Sequence, residues 1–89
     1  MEQMENQQED RRKTMTYNEL IERVGWGEEF PFQYKGEQYW ISQNAEGRYL
    51  TKTKGSQTQE FKTTAELFEH GKIDGKKIIE IWDEIKETF

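Results

Sequence analysis

The sequence predicts an α+β domain in which helices cover one face of a four-stranded antiparallel sheet. Aromatic and polar residues alternate between Glu28 and Phe61, with a turn signal about every ten residues. Side chains of a strand alternate between two faces, so such runs are typical of half-buried strands. The flanking segments carry helix caps and apolar residues at helical spacing. We therefore predict an N-terminal helix, a four-stranded β-meander, a short helix and a longer C-terminal helix packed on one sheet face.

Composition limits the classes of function. The chain has 89 residues, a formal net charge of -5 and no cysteine. This length predicts one domain, and the missing cysteines exclude a disulfide framework, a thiolate zinc site and a cysteine nucleophile. The sequence shows no signal peptide and no membrane span, so we expect a cytoplasmic protein without membrane contact. The mild negative charge argues against a strongly basic nucleic-acid surface.

The chain divides into a tail, residues 1–14, and a single α+β domain, residues 15–89. Apart from two methionines, residues 1–13 carry no apolar side chain. Such a stretch buries too little surface to offset its ordering entropy, so we expect disorder. The basic run at 11–13 leaves open a recognition arm, but a solvated extension is favoured.

The first helix is predicted from its cap and its apolar stripe. Thr16 and Glu19 have the spacing of a capping box, in which each side chain accepts from the other residue's backbone N–H. Gly25 suits the end of the helix. The buried stripe is Tyr17, Leu20, Ile21 and Val24.

The first hairpin has a definite register. A two-residue loop at Lys35-Gly36 pairs Tyr34 with Glu37, Phe32 with Tyr39 and Phe30 with Ile41. This register places the large apolar side chains on one face. Pro31 lacks a backbone donor, which favours an edge or non-bonded position for the first strand.

The second hairpin allows two registers. A four-residue loop at 44–47 places Leu50 on the core face. A three-residue loop with Gly47 in a bulge places Tyr49 there instead, and we favour this version. In both registers Trp40 points away from the core.

Two helices follow the fourth strand, which ends at Phe61. Thr63 and Glu66 form a second capping box before a short helix that ends at Gly71. Asp74 is predicted to cap the last helix. The apolar stripe of that helix is Ile78, Trp82, Ile85 and Phe89.

The sequence contains no motif for catalysis, metal binding or a cofactor, so we predict a protein that is not an enzyme. His70 ends the short helix, where a cation suits the helix dipole, and it has no nearby nucleophile. The last helix carries four carboxylates: Glu80, Asp83, Glu84 and Glu87. We interpret them as a solvated acidic face that could also contact a basic partner.

The outer face of the sheet is the main candidate surface. Gln38, Trp40 and Ser42 share it, and the bulged register adds Arg48, Leu50 and Lys52. The leading hypothesis is a small protein-interaction module whose partner is unidentified. The alternative is a binder of single-stranded nucleic acid that stacks bases on Trp40 and Tyr49 beside Arg48 and Lys52. Cover of Trp40 by a helix or by the tail, and the oligomeric state, stay open.

Three segments together resemble small hypothetical proteins of bacterial chromosomes and mobile elements. They are Tyr17-Asn18-Glu19-Leu20-Ile21, the strand pair Phe30 to Ile41, and Gly71-Lys72-Ile73-Asp74-Gly75-Lys76-Lys77. The resemblance covers residues 15–89 and implies a bacterial cytoplasmic setting. It implies no activity and no functional residue.

Overall fold

The structure, a computed structural model, describes residues 15–89, and the predicted tail of residues 1–14 lies outside the described residues. It confirms the predicted α+β architecture. The elements are α1 (Tyr17–Gly25), β1 (Phe30–Tyr34), β2 (Glu37–Asn44), β3 (Gly47–Lys52), β4 (Gln57–Phe61), α2 (Thr64–His70), β5 (Lys72–Ile73), β6 (Lys76–Lys77) and α3 (Trp82–Ile85), with 3₁₀ turns at Ile78–Ile81 and Lys86–Thr88.

The hydrophobic core lies between the helices and one face of the sheet, which we call the inner sheet face. The strands have the order β1-β2-β3-β4 and are all antiparallel. Inner-face side chains such as Phe32, Ile41 and Leu50 are fully buried. They pack beneath α1, α2 and the C-terminal helical segment, which contribute Leu20, Val24, Leu67, Phe68, Ile78, Ile81 and Ile85. Burial of each such side chain stabilises the fold by about 1.5–3 kcal/mol.

The register of the first hairpin is as predicted. Phe32 pairs with Tyr39 and Phe30 pairs with Ile41. The two loop residues, Lys35 and Gly36, have φ values of 51° and 79°. Positive φ at both central positions is the conformation that matches the right-handed twist of two antiparallel strands.

The second hairpin adopts the register without a bulge, so the favoured bulged version was wrong. Ile41 pairs with Leu50, and Leu50 is buried on the inner sheet face. Asn44 closes the turn because its Oδ1 accepts from the backbone N–H groups of Glu46 and Gly47, at 2.7 and 3.2 Å. Gly47 does not adopt the positive φ that a glycine bulge requires.

Strand β1 is an edge of the sheet whose outward backbone groups are blocked. Thr88 Oγ1 accepts from the N–H of Gln33 at 3.0 Å, and its single proton lies between the carbonyl oxygens of Ile85 at 2.8 Å and Gln33 at 3.4 Å. Pro31, two residues earlier, faces the same way and has no N–H. The edge position predicted from Pro31 is therefore confirmed, and this edge offers few groups for pairing with another strand.

Both helix caps are present. Thr16 and Glu19 form the predicted capping box of α1, with hydrogen bonds of 2.8 and 3.1 Å. Thr63 caps α2 by accepting from the backbone N–H of Glu66 at 3.1 Å. The Glu66 carboxylate accepts from Lys62 and not from Thr63, so the second cap lacks the reciprocal half that we predicted.

The C-terminal helical segment begins later than predicted. Asp74 and Gly75, with φ values of 55° and 77°, form the turn of a small hairpin between β5 and β6. Asp74 is therefore not a helix cap, because an Asp-Gly pair between extended residues favours a hairpin turn. The helical segment starts at Ile78, and 3₁₀ turns flank the single α-helical turn of α3.

Candidate functional site

The face of the sheet opposite the core is open and almost uncharged. We call it the outer sheet face, and the pairing assigns it eleven strand positions: Pro31, Gln33, Gln38, Trp40, Ser42, Asn44, Gly47, Tyr49, Thr51, Thr58 and Glu60. Glu60 is the one charged residue among these eleven, in a chain that is 35% charged. Depletion of charge together with Trp and Tyr is the composition of the centre of a protein interface.

Trp40 lies at the middle of this face. Its strand β2 is an interior strand, and Trp40 pairs with Pro31 on one side and Thr51 on the other. The side chain is 43% exposed, so about half of the indole rests on its neighbours. Thr51 also forms a hydroxyl–hydroxyl hydrogen bond of 3.0 Å with Thr58, which connects β3 to β4 beside the indole. Within residues 15–89 no helix covers Trp40.

Two of the site residues that were predicted to lie beside Trp40 are not on the outer sheet face. The unbulged register turns Arg48 and Lys52 to the inner side, while Gln38 stays beside Trp40 on the outer side. Arg48 Nε donates to Thr64 Oγ1 at 3.1 Å, so Arg48 anchors the start of α2. The predicted cluster of tryptophan with basic residues is therefore wrong, because a shift of one residue moves every side chain of a strand to the other face.

The four predicted acidic residues lie along the C-terminal helical segment and are exposed. Glu80 accepts from the backbone N–H of Lys77 at 2.7 Å, and thus caps the first 3₁₀ turn. Asp83 is 3.3 Å from Lys86, whereas Glu84 and Glu87 face solvent. Across residues 15–89 no group of three or more His, Asp or Glu side chains is arranged to hold a metal ion.

The sequence interpretation missed a cavity of about 420 Å³ on the inner side of the sheet. We call it the inner cavity. It lies between the inner sheet face and the β5–β6 hairpin, and its lining includes Tyr34, Tyr39 and Lys52. The Asp74-Gly75 pair was the available signal, because a hairpin at that point covers this end of the sheet.

Two tyrosines are expected to lose their hydroxyl protons at a higher pH than an ordinary tyrosine. Burial raises the pKa of Tyr39 above its ordinary value of 10.0, and the charges of Glu37 and Asp74 raise it further. Burial also raises the pKa of Tyr17. The unfolded chain loses these protons near pH 10 while the folded chain keeps them. Below pH 10 the two tyrosines therefore do not reduce the free energy of unfolding. As the pH rises from 10 through their folded-state pKa values, the free energy of unfolding falls.

This pH dependence can be checked by urea unfolding at several pH values between 8 and 12, with tyrosinate absorbance followed in parallel. Tyr39→Phe and Tyr17→Phe should each remove part of the alkaline loss of stability. An unchanged alkaline loss in the double variant would contradict the assignment.

None of the helices in residues 15–89 has the length and apolar composition to cross a membrane. Comparisons with protein-family models, curated proteins and solved structures find no match to this chain.

Proposed function

We propose that the protein is a small non-enzymatic interaction module that binds a partner protein through the outer sheet face. The observation that supports this proposal most strongly is the position of Trp40. It is a half-exposed indole at the centre of a surface that is nearly free of charge. Tryptophan at the centre of such a patch is the residue type most often found to dominate the binding energy of an interface.

The composition of the face also limits the chemistry of the partner. Its amide and hydroxyl groups both donate and accept hydrogen bonds, while a charged partner group would lose its water without gaining an opposite charge. The partner should therefore present an uncharged surface, with an apolar group over Trp40 and polar backbone or side-chain groups around it. The acidic residues Glu84 and Glu87 then act only as solvated charges that keep the chain soluble.

A nucleic-acid-binding role has less support. Base stacking on Trp40 requires cations beside it to hold the phosphates, and Arg48 and Lys52 lie on the other side of the sheet. The carboxylate of Glu60 at the margin of the outer sheet face would repel a phosphate backbone.

The absence of cysteine and the resemblance to small bacterial proteins support placing this module in a bacterial cytoplasm. That location is part of the proposal, and fractionation of source cells would test it.

Trp40→Thr should abolish capture of the partner while leaving the fold intact. Threonine suits a strand, so the cost in stability is expected to be about 1 kcal/mol from lost cross-strand contacts. Tagged wild-type and variant proteins are incubated with lysate of the source cells, with and without nuclease. Bound proteins are then quantified by mass spectrometry.

Trp26→Ala is the matched control. Trp26 is 68% exposed in the loop after α1 and lies outside the outer sheet face. A protein that wild type and Trp26→Ala retain in both nuclease arms, and that Trp40→Thr loses, supports the proposal. Equal retention by both variants contradicts it. If nuclease removes the bound material, the result contradicts protein binding and favours the nucleic-acid alternative.

A further inference from the structure

The inner cavity is a site of a different kind, on the opposite side of the sheet from Trp40. Its floor is formed by Tyr34 and Tyr39 of the first hairpin, and one wall is formed by Lys72, Ile73 and Asp74. A volume of about 420 Å³ lies within the range of small-molecule sites, which is roughly 300–1,000 Å³. The cavity therefore has room for a compact organic molecule.

Two buried hydroxyl groups are available in this cavity. Tyr34 is 3% exposed and Tyr39 is 6% exposed, and both line the cavity. No hydrogen bond joins either hydroxyl to another residue of 15–89, although buried polar groups are normally paired. Each phenol can donate one hydrogen bond and accept others. The floor of the cavity thus carries polar groups whose hydrogen-bonding capacity the described fold does not use.

Three lysines from separate elements add positive charge to the same cavity. Lys35 comes from the first turn, Lys52 from the end of β3 and Lys72 from β5. No carboxylate of the described chain lies within 4.0 Å of any of these ammonium groups. Lys52 is half-buried on the inner sheet face. Glu37 and Asp74 also line the cavity, so its lining carries one net positive charge.

The wall of the cavity is held in place by the Gln59 side chain, which forms hydrogen bonds to the backbone of β5 as a neighbouring strand would. Gln59 Nε2 donates to the carbonyl oxygen of Lys72 at 2.7 Å, and the N–H of Lys72 donates to Gln59 Oε1 at 2.9 Å. These two bonds join β5 to β4. The hairpin is therefore fixed over the sheet, and the cavity is preformed.

We propose that the inner cavity binds a small organic carboxylate with a compact aromatic or apolar body. The carboxylate accepts hydrogen bonds from the Tyr34 and Tyr39 hydroxyls and neutralises Lys52, while the body lies against Ile73. The single net positive charge matches a monoanion. The two acidic residues of the lining disfavour a dianion such as a phosphate ester. This proposal does not depend on the outer sheet face.

Benzoate is the probe, benzamide its uncharged analogue and phenyl phosphate its more highly charged one. Each is titrated into the full-length ¹⁵N-labelled protein while backbone amide shifts are recorded. A ligand with so few atoms should bind with a dissociation constant on the order of a millimolar. We expect saturable shifts at residues 34, 39, 52 and 72 with benzoate, and weaker shifts with the other two probes.

Two variants test the assigned groups. Lys52→Met keeps the aliphatic stem, and Tyr39→Phe removes only the hydroxyl. Each should weaken benzoate by at least about tenfold, because each variant removes one polar contact to the charged carboxylate. Tyr39→Phe should also leave the midpoint of unfolding unchanged or raised, because no residue of 15–89 bonds to that hydroxyl.

Lys62→Met, a lysine outside the inner cavity, is the control and should bind benzoate like wild type. The proposal is overturned if benzoate gives no saturable shift, or if benzamide or phenyl phosphate binds as tightly. It is also overturned if Lys62→Met weakens benzoate as much as Lys52→Met does.

Discussion

Gly71→Ala should lower the free energy of unfolding by about 2–3 kcal/mol, the upper part of the range for overpacked sites. A Cβ atom at this position would lie 2.5 Å from the carbonyl oxygen of Leu67 and 3.1 Å from Cδ2 of Leu50. The first contact is with backbone, so the end of α2 must shift. That shift would strain the 2.8 Å hydrogen bond from Gly71 N–H to the same Leu67 oxygen.

A loss of this size is a large part of the stability of a small domain, which is about 5–15 kcal/mol in total. The melting temperature should fall by roughly 10–20 °C, measured by circular dichroism or scanning calorimetry. Gly25→Ala is the matched control, since a Cβ at Gly25 meets no atom within 4 Å. Gly25→Ala should change stability by no more than about 0.5 kcal/mol. Equal effects of the two substitutions would contradict the close packing at Gly71.

Leu50→Ala should cost about 2–5 kcal/mol, the range for truncation of a buried leucine. Leu50 is 1% exposed and lies against α2 at the centre of the inner sheet face. Its neighbour Tyr49 points outward, where the hydroxyl donates to Asn44 Oδ1 at 3.0 Å. Tyr49→Thr should therefore cost only about 1 kcal/mol, mainly from that hydrogen bond.

Urea unfolding of the two variants measures this difference and tests the register of the second hairpin directly. In the bulged register the roles would be exchanged, with Tyr49 in the core and Leu50 outside. A Tyr49→Thr variant that is less stable than Leu50→Ala would thus contradict the observed register.

The two proposed sites lie on opposite faces of one sheet, which makes their tests independent. Trp40 contacts the outer neighbours of β2, whereas Lys52 and the Tyr39 hydroxyl line the inner cavity. Substitutions at sites without shared contacts usually act additively. Failure of the partner experiment would therefore leave the carboxylate proposal standing, and failure of the benzoate titration would leave the interaction surface standing.

Local patterns in the sequence determined most of the secondary structure. The cap at Thr16, the paired alternation around the Lys35-Gly36 turn and the edge position of Pro31 are confirmed because each depends on residues close in the chain. The outward direction of Trp40 was predictable for the same reason, since it follows from the alternation of β2 alone.

The tertiary structure alone decided the second hairpin and the site residues that depend on it. The loop at 44–47 is compatible with two registers, and burial of Leu50 against α2 selects one of them. That selection turns Lys52 inward and leaves the outer sheet face nearly neutral. The β5–β6 hairpin then covers Lys52, because Gln59 binds the backbone of Lys72, a residue 13 positions away. Local patterns contain no information about such a contact, so the inner cavity became visible only once the chain was folded.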